Sequence, residues 1–165
     1  EKDFNGLFDI ILLKDVIENI HDQPKLIGWM KKFLKPGGII FFGFPPWYMP
    51  FGGHQQICKS KISRLPYIHL LPGFLYKAIL KNRKENVEEM MEIRETGISI
   101  ERFERICREQ GYTFLDIRHY LLNPIYEWKF GWKPKKQGAL IKAIPFFRNF
   151  LTTCVYYCIQ PNPKP

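Results

Sequence analysis

Phe8-Asp9-Ile10-Ile11-Leu12-Leu13 and Ile39-Ile40-Phe41-Phe42-Gly43-Phe44 decide how this chain folds. Each run is short, rich in branched or aromatic residues, and without apolar–polar alternation, so each reads as a strand buried on both faces. Such strands belong in a parallel sheet, and the residues between them fit that reading. Val16 to Ile20 reads as a turn or a short helical link. Asp22 can cap a helix whose early Pro24 needs no amide donor. Leu26, Ile27, Met30, Phe33 and Leu34 share one helix face, and that helix is expected to end at Lys35, where Pro36-Gly37-Gly38 breaks it. Strand, helix and strand make a βαβ unit, and Pro45-Pro46 stops the second strand.

Outward from this unit the character changes. Residues 47–96 are aromatic and broken by Gly52, Gly53, Pro66, Pro72 and Gly73, and read as a helical insertion or lid. Within them Phe74, Leu75, Ala78 and Ile79 have helical spacing, and Val87, Met90 and Met91 stripe the charged run Glu85 to Arg94. Ser99 caps a further helix with Ile100, Phe103, Ile106 and Cys107 inward and Gly111 closing it. Phe114 to Leu122 reads as a strand with Phe114, Asp116, Arg118 and Tyr120 on one face and Leu115, Ile117, His119 and Leu121 on the other. Residues 123–147 form a loop-rich insertion carrying Trp128 and Trp132, Phe150 to Ile159 is the last strand, and the proline-rich tail from Pro161 is extended. The class is α/β.

The chain has 165 residues, 45% of them hydrophobic, enough for one domain with a proper core and incompatible with disorder, collagen or a disulfide scaffold. Cys58, Cys107, Cys154 and Cys158 form no C-x-x-C pair. They read as free thiols of a reducing, cytoplasmic setting, with no metal site. Cys154 and Cys158 share a strand face, where core packing is the expected role. The net charge of +9 favours anionic partners, and Lys129 to Lys142 is its densest stretch. No nucleic-acid motif accompanies it, so nucleic acid is not an expected partner. The chain opens on Glu1 and reads as a fragment.

Phe8-Asp9-Ile10-Ile11, then Asp15-Val16-Ile17-Glu18-Asn19-Ile20, then Leu34-Lys35-Pro36-Gly37-Gly38 before a strand, resemble the second half of a class I S-adenosylmethionine-dependent methyltransferase of the small-molecule type. Asn19 stands where such sequences usually carry histidine. The likeness is close over residues 5–46 and looser over 97–122 and 150–160. It implies a partial Rossmann-like sheet of strands four to seven, the seventh antiparallel, within a family order of 3-2-1-4-5-7-6. It also implies that the acidic-x-Gly-x-Gly loop of the cofactor's donor side lies outside these residues, since no Gly-x-Gly occurs among them. Residues 1–165 are then the carboxyl-terminal half of a methyltransferase domain using S-adenosyl-L-methionine.

By that resemblance Lys14, Asp15, Val16, Asn19 and His21, beyond the fourth strand, flank the methionine end of the cofactor. Asp15 as a cap and His21 as a surface residue are the plainer alternatives. Phe44-Pro45-Pro46-Trp47 resembles an amino-methyltransferase motif, but Phe44 cannot accept a hydrogen bond through its side chain and the motif follows the wrong strand. His54, after Gly52-Gly53, is the candidate proton acceptor, because imidazole titrates near neutrality; a loop histidine bonded to backbone is the alternative. Trp47, Tyr48 and Tyr67 could stack on a flat small-molecule acceptor or pack in the core. Residues 67–81, with Lys77 and Lys81, could rest on a membrane, which would suit a lipid-like acceptor. The strand 8–13, unpaired on its outer side, invites self-association. The competing reading is a non-catalytic binding module with a Rossmann-like half-fold, followed by a nucleotide-cofactor oxidoreductase.

Overall fold

A computed structural model of the chain describes residues 4–163. Its strands are β1 (Phe8–Lys14), β2 (Leu34–Phe44), β3 (Tyr112–Leu122), β4 (Lys135–Lys136) and β5 (Cys154–Pro161). Its helices are α1 (Gln23–Met30), α2 (Gly73–Asn82), α3 (Val87–Thr96), α4 (Ile100–Glu109), α5 (Ile125–Phe130), α6 (Ala139–Lys142) and α7 (Phe147–Phe150). The strands form one sheet in the order β1-β2-β5-β3-β4. β1 and β2 are parallel, and β5 runs antiparallel between β2 and β3.

The local signals act as read. The Asp22 side chain accepts from the Lys25 amide at 3.0 Å, Ser99 accepts from the Arg102 amide at 3.1 Å, and Gly111 takes the left-handed conformation after α4. α1 and α4 cover one face of the sheet. Ile27, Met30, Ile100, Phe103, Ile106 and Cys107 pack on Leu13, Ile40, Phe42, Phe44, Val155, Tyr157 and Ile159. Phe103 sits among Phe42, Phe44 and Tyr157, with ring centroids at 4.9, 4.9 and 4.8 Å. The Tyr112 hydroxyl donates to the Ile27 carbonyl at 2.8 Å and ties β3 to α1.

Several boundaries move. α1 ends at Met30, a 3-10 turn spans Lys31–Phe33, and Leu34 already belongs to β2. Leu34 pairs with Phe8, but Ile10 pairs with Ile39; the register shift absorbs Pro36-Gly37-Gly38 as an irregular stretch inside the strand, with Gly37 at φ 81°. In β3 a second irregularity between Phe114 and Asp116 puts Leu115 out of register. Phe114 therefore joins Ile117 against the core, where strict alternation set it beside Asp116. The last strand starts at Cys154, because Phe147–Phe150 forms the turn α7, and the stretch 123–147 holds α5, β4 and α6. The tail expectation beyond Pro163, and the first three residues, lie outside the described residues.

β1 is buried on one face, not two. Leu13 faces the core, while Phe8, Ile10 and Leu12 are exposed, Leu12 at 71%. The reason is that this chain's helices line only one side of the sheet. On the open side Leu12, Phe41, Cys158 and Asp116 follow one another across the strands, so an apolar band over β1 and β2 fades into charge on β3.

A second small core holds Cys58, Ile68, Tyr76, Leu80 and Met90, all within residues 47–96. In α2 it is Tyr76 and Leu80 that turn inward, leaving Phe74, Leu75 and Ala78 exposed. Gln23 joins this unit to the sheet, its amide donating to the carbonyls of Thr96 (2.6 Å) and Ile17 (3.2 Å). The Trp47 amide donates to Ile98 O at 2.8 Å.

Two buried histidines are held neutral. His69 Nε2 donates to Trp47 O at 2.8 Å, leaving Nδ1 to accept from Gln55 at 3.1 Å. His119 Nε2 lies 3.3 Å from the Tyr157 hydroxyl, which itself donates to Glu104 at 2.9 Å. Burial, foremost, pushes both imidazoles from 6.5 down to about 4. The unfolded chain therefore binds two protons between about 6.5 and about 4 that the folded chain refuses, so stability rises with pH across that window. Thermal melts across a buffer series should show the midpoint falling on acidification from about 6.5 to about 4, and His69→Gln or His119→Gln should flatten that slope.

Candidate functional site

β3 is antiparallel to β5, and β5 to β2, so β1, β2 and β3 all point the same way. Their carboxyl ends at Lys14, Phe44 and Leu122 share one edge, and the segments 15–22, 45–99 and 123–153 all leave the sheet there. Open α/β sheets bind ligands beyond that edge.

Asp15 is the first residue past β1. Its amide donates to Gly43 O at 2.7 Å, which keeps the turn against β2, and its φ is 54°. An L-residue there costs free energy unless its surroundings impose it. Five non-glycine residues adopt positive φ among the described residues, and three of them, Asp15, His54 and Tyr67, are sequence candidates. The Asp15 carboxylate pairs with Lys14, and Asn19 Nδ2 reaches Asp15 O at 3.4 Å.

Glu18 is the residue the sequence reading passed over. It sits in the 3-10 turn Ile17–Asn19 and is buried, and neither carboxylate oxygen has a hydrogen-bond partner. Burial first, with the nearby Asp15 charge adding, raises its pKa from 4.5 to about 7. The only signal in the sequence is an acid between Ile17 and Ile20 in a short link, where a turn this tight leaves little choice of direction.

His54 follows a turn that only glycines permit. A Cβ on Gly52 would lie 2.1 Å from Trp47 O, and one on Gly53 would lie 2.5 Å from His69 Cβ. Burial lowers the His54 pKa below 6.5, and the Asp15 carboxylate works against that. Asp15 thus acts electrostatically on both Glu18 and His54, while direct contacts join only Lys14, Asp15 and Asn19. The other candidates stand elsewhere. Val16 is exposed, and His21 Nε2 lies 3.5 Å from Glu92 on α3. Trp47 packs edge-on to His69 at 4.7 Å and fills the space over Gly97. Tyr48 and Tyr67 flank Phe150 at 5.6 and 6.2 Å, and the Tyr67 hydroxyl donates to Phe150 O at 3.0 Å.

Among the described residues no group of three or more His, Cys, Asp or Glu could hold a metal ion, and no helix is long and apolar enough to cross a membrane. A depression of about 200 Å³ on the open sheet face is lined by Phe41, Asp116, Arg118, Tyr156 and Cys158.

The Glu18 carboxyl carries a stability signature of opposite sign to the histidines. Its folded pKa of about 7 lies above the ordinary 4.5, so the stability associated with its proton is present below about 4.5 and is lost as pH rises to about 7. Glu18→Gln should raise the thermal midpoint at alkaline pH and leave it nearly unchanged in acid; an equal shift at both would remove the anomalous titration.

A family model described as a methyltransferase domain matches residues 1–117. No curated protein matches the sequence. Among solved structures, an S-adenosylmethionine-dependent methyltransferase of Thermotoga maritima is 13% identical with a TM-score of 0.50, over 96% of this chain and 57% of its own. A phosphoethanolamine N-methyltransferase 2 of Haemonchus contortus, in complex with phosphomonomethylethanolamine and S-adenosylhomocysteine, is 14% identical with a TM-score of 0.45, over 98% of this chain and 35% of its own. The chain thus spans about half or less of the length of these two structures. With the sheet order and the matched residues together, the chain belongs to the methyltransferase-domain family, the class I S-adenosylmethionine-dependent fold.

Proposed function

We propose that this chain forms the acceptor side of an S-adenosylmethionine-dependent methyltransferase acting on a small-molecule or lipid-like acceptor in the cytoplasm, and that the glycine-rich donor loop is supplied by residues outside it. The observation that carries the reading is the unpartnered, buried Glu18 carboxylate, three residues past Asp15 at the sheet's carboxyl edge, with the Asp15 charge acting on both Glu18 and His54. An exposed carboxylate next to a buried, unsatisfied one suits a cationic ligand end, and the cofactor offers an ammonium and a sulfonium. Lys14, Asp15, Val16 and Asn19 would hold that end; His21, directed to Glu92, would sit at its margin.

When bound, the cofactor supplies a methyl group on sulfur for in-line displacement. The chain's own part is to orient the acceptor, exclude water and receive the acceptor's proton. His54, kept neutral by burial and in the field of Asp15, is the proton acceptor in this reading. Residues 47–96 act as the lid, with Trp47 as its packed hinge and Tyr48 and Tyr67 as the acceptor's aromatic wall. Residues 123–147 form the second insertion.

One feature favours the non-catalytic alternative: no Gly-x-Gly occurs in the 165 residues. Calorimetry with S-adenosylmethionine on the gene's intact product and on this chain separates the two. Saturable binding by the intact product alone is expected, and binding by neither would end the transferase reading. In the intact enzyme His54→Gln should lower kcat by roughly 100-fold with little change in cofactor affinity.

The open apolar band supports self-association of the isolated chain through β1, whose outer edge has no partner strand among the described residues. Sedimentation should find an associated species that Leu12→Lys converts to monomer; a monomeric parent chain would refute it.

A further inference from the structure

We propose that the segment Ile125–Phe147 is an interfacial anchor that seats the protein on an anionic bilayer surface. The segment presents large apolar side chains to solvent. Trp128 is 83% and Leu140 86% exposed, and Phe130, Trp132, Ile144 and Phe146 are exposed with them. Between them stand Lys129, Lys133, Lys135, Lys136 and Lys142, against the single acid Glu127. None of these lysines forms a salt bridge among the described residues.

The exposure is built into the fold. Tyr126, Phe130 and Trp132 brace one another, with ring centroids at 5.6, 6.4 and 5.3 Å. β4 pairs with the end of β3, the Gln137 amide donates to His119 O at 2.8 Å, and the buried Gln137 side chain donates to Leu151 O at 2.6 Å. Phe146 is held at φ 62° by its amide's bond to Glu101 at 2.9 Å. A positive φ with ψ −49° is costly for phenylalanine, and here the fold imposes that conformation on an aromatic ring that stays in solvent.

Composition selects the occupant. Protein interfaces favour arginine and are depleted of lysine, whereas this segment has five lysines and no arginine. Tryptophan with lysine is the pairing of a membrane interface: the ring sits at headgroup depth while the ammonium meets lipid phosphate. With no membrane-crossing helix among the described residues, the contact is peripheral. The segment starts from the carboxyl end of β3, and β4 returns antiparallel beside that strand, which sets Lys136 and Lys142 next to Asp116 and His119. This surface is distinct from residues 67–81, although Phe150 links the two by packing at a tilt 6.2 Å from Tyr67 and lying 6.4 Å from Phe147.

The test is flotation of the intact protein with vesicles of phosphatidylcholine alone and of phosphatidylcholine mixed equally with phosphatidylserine. Binding to the anionic vesicles, weakened by salt, is expected. Lys133→Glu/Lys135→Glu and, separately, Trp128→Ala/Trp132→Ala should each weaken it at least ~10-fold, with circular dichroism unchanged. Four results would each overturn the proposal: no flotation, equal flotation with both vesicle types, binding indifferent to both variants, or a vesicle-free dimer that Trp128→Ala/Trp132→Ala dissociates. Methyl transfer does not depend on the outcome, so the two readings fail separately.

Discussion

Parallel pairing of β1 with β2 is the constraint on which the rest hangs. A parallel pair needs a crossover, and α1 with its capping Asp22 supplies it across one face. The pairing also brings Lys14 and Phe44 to the same edge. Asp15, Glu18 and the segment that leaves β2 at Pro45 therefore start from one edge, although up to 30 residues of chain separate them. Inserting β5 antiparallel between β2 and β3 preserves the effect, because two reversals return β3 to the common direction. Each long insertion then starts where ligands bind such sheets.

The sheet is finished on one side only. α1 and α4 give Phe42, Phe44, Phe103 and Tyr157 a close-packed aromatic core. The reverse face leaves Ile10 and Leu12 to water. Ile10 and Leu12 thus form an exposed apolar patch on the edge strand β1.

Much of this was legible in the residues. The two apolar runs, the Asp22 and Ser99 caps and Gly111 follow from local chemistry, and their positions hold in the structure. The methyltransferase resemblance rests on Phe8–Ile11, Asp15–Ile20 and Leu34–Gly38, all within the matched residues 1–117. The irregular registers in β1–β2 and β3–β5 were not legible, because a strand can absorb an extra residue without any change in composition. Nor was the inward face of α2, where contact with Met90 selects Tyr76 and Leu80. The candidate site divides the same way. Lys14, Asp15 and Asn19 are joined by an ion pair and a hydrogen bond and the Asp15 charge reaches His54, while Trp47 packs on His69 and His21 lies beside Glu92.

By itself the sequence determined the strands β1, β2 and β3 and the capped helices α1 and α4, since hydrophobic period and capping chemistry act over a few residues, but not the short elements of 123–150. Only the tertiary structure decided that Glu18 is a buried carboxyl without a partner, that Asp15 and His54 share an electrostatic neighbourhood, and that Trp128 and Leu140 stay in solvent. Burial and charge coupling depend on residues distant in sequence, and the sheet's geometry alone brings those together.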